Sequence, residues 1–330
     1  MISLLFAMAC SPSITFQITN PAEVKIKQQI QKIAPIDREE SRASRKVIDS
    51  FMNGLEDVRN PRFAMISRAT SQKAFADKSS TVGQPLTREQ AQTICKSTEA
   101  SGIVSLERLR VQKDWEMSDY QTTKREEERQ TIVKDGEETE QTVYKDKVVT
   151  MHRAVFTVGI DVDWKLYNCS AGVEDSHTAE MSNTWRGEGE SVADAKAQVG
   201  ETRDLIAEMA AQHGVSYMRR ISPYEISVTR KYYRCGHKKM KEANKLMVDG
   251  KIMRAEKRYL LAIEDSVQKE KGKSHFNYAV LLERMGKTKQ ALEQAKKGHE
   301  IMQSGMSQTY VDQLRNRVKK EKRIKRQLGQ

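Results

Sequence analysis

Ala243-Asn-Lys-Leu-Met-Val-Asp-Gly250-Lys-Ile-Met-Arg-Ala255 and Ala279-Val-Leu-Leu-Glu-Arg-Met-Gly286-Lys-Thr-Lys-Gln-Ala291 follow one pattern, A-x6-G-K-x3-A, with an offset of 36 residues. Tyr259 and Ala262 extend the first copy, and Ala295 and Gly298 stand at the same places in the second. The spacing predicts two helical hairpins. Small residues let the paired helices approach closely, and each glycine closes a helix in the left-handed conformation that only glycine adopts without strain. The predicted packing positions are Ala243, Gly250, Ala255, Tyr259, Ala262, Ala279, Gly286, Ala291 and Ala295.

This layout resembles tetratricopeptide repeats, whose period is 34 residues. Stacked repeats need about three units to bury a continuous core. Two copies and a final helix over Gln308–Gln327 therefore make a short array, assigned to residues 231–330, with Pro223–Cys235 as its junction to the preceding domain. The last helix carries Val318-Lys-Lys-Glu-Lys-Arg-Ile-Lys-Arg326, six basic residues in nine. Lys319, Lys320, Lys322, Arg323, Lys325 and Arg326 can meet nucleic acid, anionic head groups or an acidic protein, or form the solvated face of a capping helix.

Toward the N-terminus the periodicity changes. Ile14–Ile18 and Ala22–Ile26 alternate apolar and polar, as half-buried strands do. Lys32–Asp37 reads as a strand, with Pro35 placing it at an edge or bulge. Ser41–Glu56 has a helical stripe at Ala43, Val47, Ile48, Phe51 and Leu55. Arg62–Ser67 is a short strand and Gln72–Ala76 starts a helix. Thr87 and Gln90 form a capping box for a helix through Ser97. Strands at Ile103–Leu109, Val148–Tyr167 and Glu180–Arg186 and a helix over Ser191–Gln212 complete the domain. Asp114–Lys147 is dense in charge, and its Asp135-Gly136 turn marks an exposed hairpin or mobile insertion. The predicted class is α/β, a two- or three-layer sandwich with a partly parallel sheet over residues 31–230, followed by an all-α helical-hairpin array. Residues 11–30 are read as an N-terminal extension with the first strand.

The strand Lys32-Ile-Ala-Pro-Ile-Asp37, the helix after it and Arg62-Phe-Ala-Met-Ile-Ser-Arg68 resemble the α/β domain of bacterial envelope lipoproteins. The lipoproteins they resemble are those related to the curli secretion channel, the lipoprotein activators of penicillin-binding proteins and the N-terminal domain of TolB. Arg68 matches the closing arginine of their pattern. Ser67 stands where they have an acidic residue, and Arg38 where they have an aromatic one. The resemblance covers roughly residues 21–230. It implies an architecture, most similar to uncharacterised lipoproteins that join such a domain to helical repeats, and leaves the activity open.

Met1–Ala9 is apolar and ends in Ala7-Met8-Ala9-Cys10, the shape of a secretory signal that resembles a bacterial lipobox. Cys10 is the expected lipid-attachment residue, and residues 1–10 the signal segment. Ser11 after it favours the outer membrane. Cys95, Cys169 and Cys235 would remain in an oxidising compartment, in pairings that the sequence leaves open.

The 330 residues carry a net charge of +12, with 38 % hydrophobic and 31 % charged residues. Basic and acidic residues alternate, so the excess reads as spread along the chain outside the tail. No phosphate-binding loop, dinucleotide fingerprint, zinc-protease helix or serine-hydrolase elbow is encoded. No cysteine pair has CxxC spacing. The expectation is a non-enzymatic protein with no cofactor, catalytic residue or metal. It is lipid-anchored in the cell envelope, faces the periplasm and docks an envelope protein through its repeats. The alternative is a soluble, basic, nucleic-acid-associated protein that uses the tail and Arg230-Lys-Tyr-Tyr-Arg234.

Overall fold

The computed structural model describes residues 12–58, 61–76, 85–134 and 137–330. Cys10 lies outside them. The fold is an α/β region followed by a run of helices, with one five-stranded mixed sheet and one two-stranded sheet. The chain divides into two compact units. A sheet unit comprises residues 29–56 and 63–218; a helical unit comprises residues 12–28, 57–62 and 219–330.

In the sheet unit the strand order is β3(Ala64–Met65), β2(Lys32–Asp37), β4(Gly102–Lys134), β5(Glu137–Asn168), β6(Gly172–Gly189). β2 runs parallel to β3 and β4, and the other pairs are antiparallel. The C=O of Ile33 accepts the N–H of Ile66 at 2.9 Å, where β3 ends. Pro35 follows on that side, so its missing N–H falls where the ladder has already stopped.

Both faces of the parallel part are covered. Ala34, Ile36, Ile103 and Tyr167 pack with Ile94 and Cys95 of α3(Arg88–Thr98) and with Phe75 of α2(Arg68–Ala76). Thr87 and Gln90 form the capping box at the start of α3. On the other face, Phe51 of α1(Arg42–Glu56) and Tyr217 of α5(Thr202–Ile221) enclose Trp164, whose ring stacks on Tyr217 with centroids 4.5 Å apart. α5 lies directly on α1 at Gly214. A Cβ there would stand 2.0 Å from the carbonyl oxygen of Val47. Gly214→Ala therefore must push two helix backbones apart and should cost roughly 1–3 kcal/mol, read as a lower urea midpoint at unchanged m.

His213, next to this contact, is buried, and desolvation holds its pKa below the ordinary 6.5, against the opposing effects of the Ile160 backbone and Asp161. The unfolded state then binds more protons than the native state just below 6.5. This contribution to stability is complete above the unfolded pKa and is lost as pH falls from there toward the folded value. His213→Gln should flatten the stability–pH slope on the acid side of 6.5; an unchanged slope would show that other groups set it.

β4 and β5 are far longer than the predicted strands. β6 accompanies β5 only from His152 onward, so Tyr120–Lys134 and Glu137–Met151 continue as a two-stranded arm of 15 residue pairs. At ~3.4 Å per residue it reaches on the order of 50 Å. The predicted exposed hairpin over 114–147 is thus the outer part of one long ribbon. Charged pairs such as Arg125–Asp146 and Lys147–Glu126 line it. Ser191–Gln212 is two helices, α4(Val192–Val199) and α5, because Gly200 at φ +92° breaks the run.

The helical unit opens with β1(Ser13–Asn20), antiparallel to β7(Tyr224–Lys231). Ala22–Ile26 was expected as a second strand and is not one. Its backbone groups are bonded mostly by side chains instead: Gln327 holds both the N–H and the C=O of Ala22, at 3.0 and 3.1 Å, and Arg62 donates to the C=O of Ile26 at 2.6 Å, while the Val24 N–H donates to the Arg220 carbonyl at 3.0 Å. The predicted division at 230/231 also differs from the structural one. β1 and β7 pair with each other and their side chains belong to the helical core, so they group with residues 219–330. The helices are α6(Lys238–Val248), α7(Ile252–Asp265), α8(Gln268–Arg284), α9(Thr288–Met302) and α10(Gly305–Gln327).

Candidate binding surface of the helical unit

The repeated residues meet in one core. Ala243, Ala255, Tyr259, Ala262, Ala279, Ala291 and Ala295 are all buried in it. Gly250 and Gly286 close α6 and α8 at φ +75° and +74°. The N–H groups of Gly286 and Lys287 bond the carbonyls of Glu283 and Leu282 at 2.9 Å each, which satisfies the last carbonyls of α8. Gly298 of α9 sits against α8, where a Cβ would be 3.0 Å from the Gly272 carbonyl.

Repeat arrays present an extended surface to partners. Here the first helices of the hairpins are covered by the chain itself. The hydroxyl of Tyr259 donates to Asn244 at 2.7 Å, and the Asn277 amide donates to Asn244 and to the Tyr233 carbonyl at 2.9 and 2.8 Å. The N–H of Tyr233 returns to Asn277 at 2.8 Å. Ile14, Phe16 and Tyr232 are buried in the same apolar cluster as Phe276 and Val280. Arg230 of β7 forms a two-pronged pair with Glu283 of α8, at 2.8 Å for each bond, and the Tyr310 hydroxyl of α10 donates to the same carboxylate at 3.0 Å. Burial opposes the charge on Arg230, yet the Glu283 bonds raise its pKa above the usual arginine value; burial and Glu283 together push the Tyr310 hydroxyl well up. The Arg230–Arg234 segment is therefore packed and bonded through Arg230, Tyr232 and Tyr233. Exposed apolar surface remains on α7. Met253 (65 % exposed), Leu260 and Leu261 lie on α7 beside Arg254, Lys257 and Arg258.

Half of the basic tail is also occupied. Arg323 donates to the carbonyl of Ala22 at 2.6 Å, and Lys320 to Asn20 at 3.2 Å. Arg326 donates to the Lys322 carbonyl at 3.3 Å. Lys319 is exposed; Lys322 and Lys325 line a pocket of about 610 Å³ beside the start of α9. The tail is thus a clamp on residues 20–24 as well as a charged surface. A signal the sequence reading passed over is the sum by segment. Residues 219–330 hold 29 Lys and Arg against 12 Asp and Glu, net +17, while residues 1–218 have net −5. The positive charge of the chain is thus concentrated in this segment.

The sheet unit has a cleft of about 720 Å³ at the end of β2, lined by Asp37, Glu40, Arg45, Lys46, Asp49, Arg68 and Gln72 among others. Several of its groups are engaged within the protein. Asp37 accepts from the N–H groups of Glu39 and Glu40 and from the Ser44 hydroxyl, at 3.1, 3.0 and 2.8 Å, and Arg68 pairs with Asp49 at 2.7 Å. Arg38 is buried, paired with Glu107 and set over the Phe75 ring at 5.8 Å. Tyr167 donates to Glu107 at 2.8 Å, and burial, then the Glu107 charge, raises its pKa. Cys95 and Cys169 form a disulfide, and Cys235 is a free, exposed thiol. Among the described residues no group of three or more His, Cys, Asp and Glu is arranged to hold a metal, and no helix is long and apolar enough to cross a membrane.

Residues 15–233 match the family described as Domain of unknown function (DUF8603), and the chain belongs to that family. The match begins in β1 and ends just past β7, before the helical hairpins. No curated protein matches the chain.

Proposed function

We propose that this DUF8603 chain is a non-catalytic binding protein of the bacterial cell envelope, lipid-anchored at Cys10, whose helical unit holds an acidic envelope protein. The observation that carries the reading is the helical-hairpin array with net +17 over residues 219–330. A large field of one sign steers an oppositely charged partner and speeds its docking. The Cys95–Cys169 disulfide supports the compartment, since such bonds persist in oxidising environments such as the periplasm. Because the chain's own ribbon covers the first helices, the partner docks on α7, through Met253, Leu260 and Leu261 among Arg254, Lys257 and Arg258.

The test is a photo-crosslinking residue placed at Leu260 in cells, with Lys319 as the comparison site. The expected result is one envelope protein captured at Leu260. Purified, it should bind the chain with an affinity that falls on adding salt and on Lys257→Glu. The same net charge favours nucleic acid as a second reading. Duplex DNA binding with a steep salt slope, and no protein adduct at Leu260, would replace the proposed partner.

A further inference from the structure

The pocket of about 610 Å³ lies where the start of α9 faces the last turns of α10. Its volume is in the range of small-ligand sites, about 300–1,000 Å³. The walls combine two chemistries. Val58, Pro223, Val318, Ile324 and Leu328 supply apolar surface, and Lys287, Lys289, Arg317, Lys322 and Lys325 supply positive charge against one carboxylate, Glu321.

The charge is mostly uncommitted. Lys287 pairs with Glu256 at 3.2 Å, whereas Lys289, Lys322 and Lys325 are exposed and have no ion-pair partner among the described residues. Glu321 is engaged by the Thr288 hydroxyl and lies 3.5 Å from Arg317. The 15-residue helix α9 begins at this opening with Lys287 as its N-cap, and no side chain caps it. The first N–H groups of a helix are donors without an intrahelical acceptor, and the helix dipole adds partial positive charge there.

A second observation, independent of the helix, points the same way. Arg317 is only 9 % exposed and lines the pocket. It donates through one terminal nitrogen to the Thr19 carbonyl, while its Nε makes no hydrogen bond and faces the Glu321 carboxylate at 3.5 Å as a long ion pair. Burial lowers its pKa, with Glu321 and Glu283 opposing. A buried guanidinium whose one carboxylate lies at 3.5 Å and is shared with the Thr288 hydroxyl is incompletely compensated, and an anionic ligand in the pocket would add to that compensation.

We propose that this pocket binds a phosphate group, held by Lys289, Lys322, Lys325, Arg317 and the N-terminus of α9, with its apolar substituent against Val318, Ile324 and Leu328. The source is an anionic phospholipid head group or a soluble phosphate compound. The proposal does not depend on the protein partner on α7.

The test uses the full chain. Inorganic pyrophosphate is titrated by calorimetry at constant ionic strength. In parallel, the protein is sedimented with vesicles of phosphatidylglycerol or of phosphatidylcholine. One variant removes Lys289, Lys322 and Lys325 (each →Gln). A control removes the same charge from exposed Lys241, Lys296 and Lys297 (each →Gln). The expected result is pyrophosphate binding that weakens about tenfold or more in the pocket variant and changes less than about threefold in the control. Co-sedimentation with phosphatidylglycerol alone, lost in the pocket variant and competed by pyrophosphate, identifies a head group. Pyrophosphate binding without co-sedimentation identifies a soluble ligand. Equal losses in the two variants, or no binding to either probe, would overturn the site.

Discussion

Replacing Cys95 and Cys169 together by alanine is expected to destabilise the sheet unit by about 4 kcal/mol, because the bond closes a loop with a sequence separation of 74. The loss arises mainly in the unfolded chain, which regains the loop-closure entropy. The native contacts change little. Cys95 sits on α3 among Ile94, Ala91 and Tyr167, and alanine fills most of its place. A sheet unit of this size should melt about 10 °C lower, from ~2–4 °C per kcal/mol. Reductant should do the same to the unmodified chain and nothing to the double variant. A difference below about 1 kcal/mol would mean that the bond is redundant with the packing of α3.

The second large effect is expected at Arg230. Its partner Glu283 has a side chain only 1 % exposed and takes bonds from both Arg230 and Tyr310. Arg230→Met leaves a buried carboxylate without its counter-charge, which costs about 3–5 kcal/mol. The triple change Arg230→Met, Glu283→Met, Tyr310→Phe removes all three polar groups together and should recover most of that loss, since an apolar replacement of a whole buried set is often neutral. Urea unfolding of the three proteins decides it. A cost below about 1 kcal/mol for Arg230→Met would show that water reaches Glu283 and that β7 is not held to α8 in this way.

The two outcomes concern features of unequal legibility. The hairpins were readable because Ala243, Gly250 and Ala255 recur as Ala279, Gly286 and Ala291, and small residues at close helix crossings leave a fixed spacing. The capping box at Thr87 and Gln90 was readable because it is local. The long arm was partly hidden, because a mostly polar ribbon has no regular apolar alternation to mark its strands. Ala22–Ile26 misled the reading for the converse reason: it alternates, but its backbone is bonded by Gln327 and Arg62 from distant positions. Arg230–Glu283 and Arg38–Glu107 join residues 53 and 69 apart, and nothing local announces such a pair. The pairing of β1 with β7 is of the same kind. The basic pocket was half visible. Lys322 and Lys325 stood out in the tail, and Arg317 precedes them on the same helix, while Lys287 and Lys289 reach the pocket only because the start of α9 packs beside α10.

The proposed compartment and anchor are open to one direct measurement: intact and peptide mass spectrometry of the protein isolated from its own cells, without reductant. The proposal predicts a chain that begins at a lipid-modified Cys10, with Cys95 and Cys169 recovered as one cross-linked peptide pair and Cys235 as a free thiol. A chain that retains an unmodified Met1, with Cys95 and Cys169 both reduced, would contradict it.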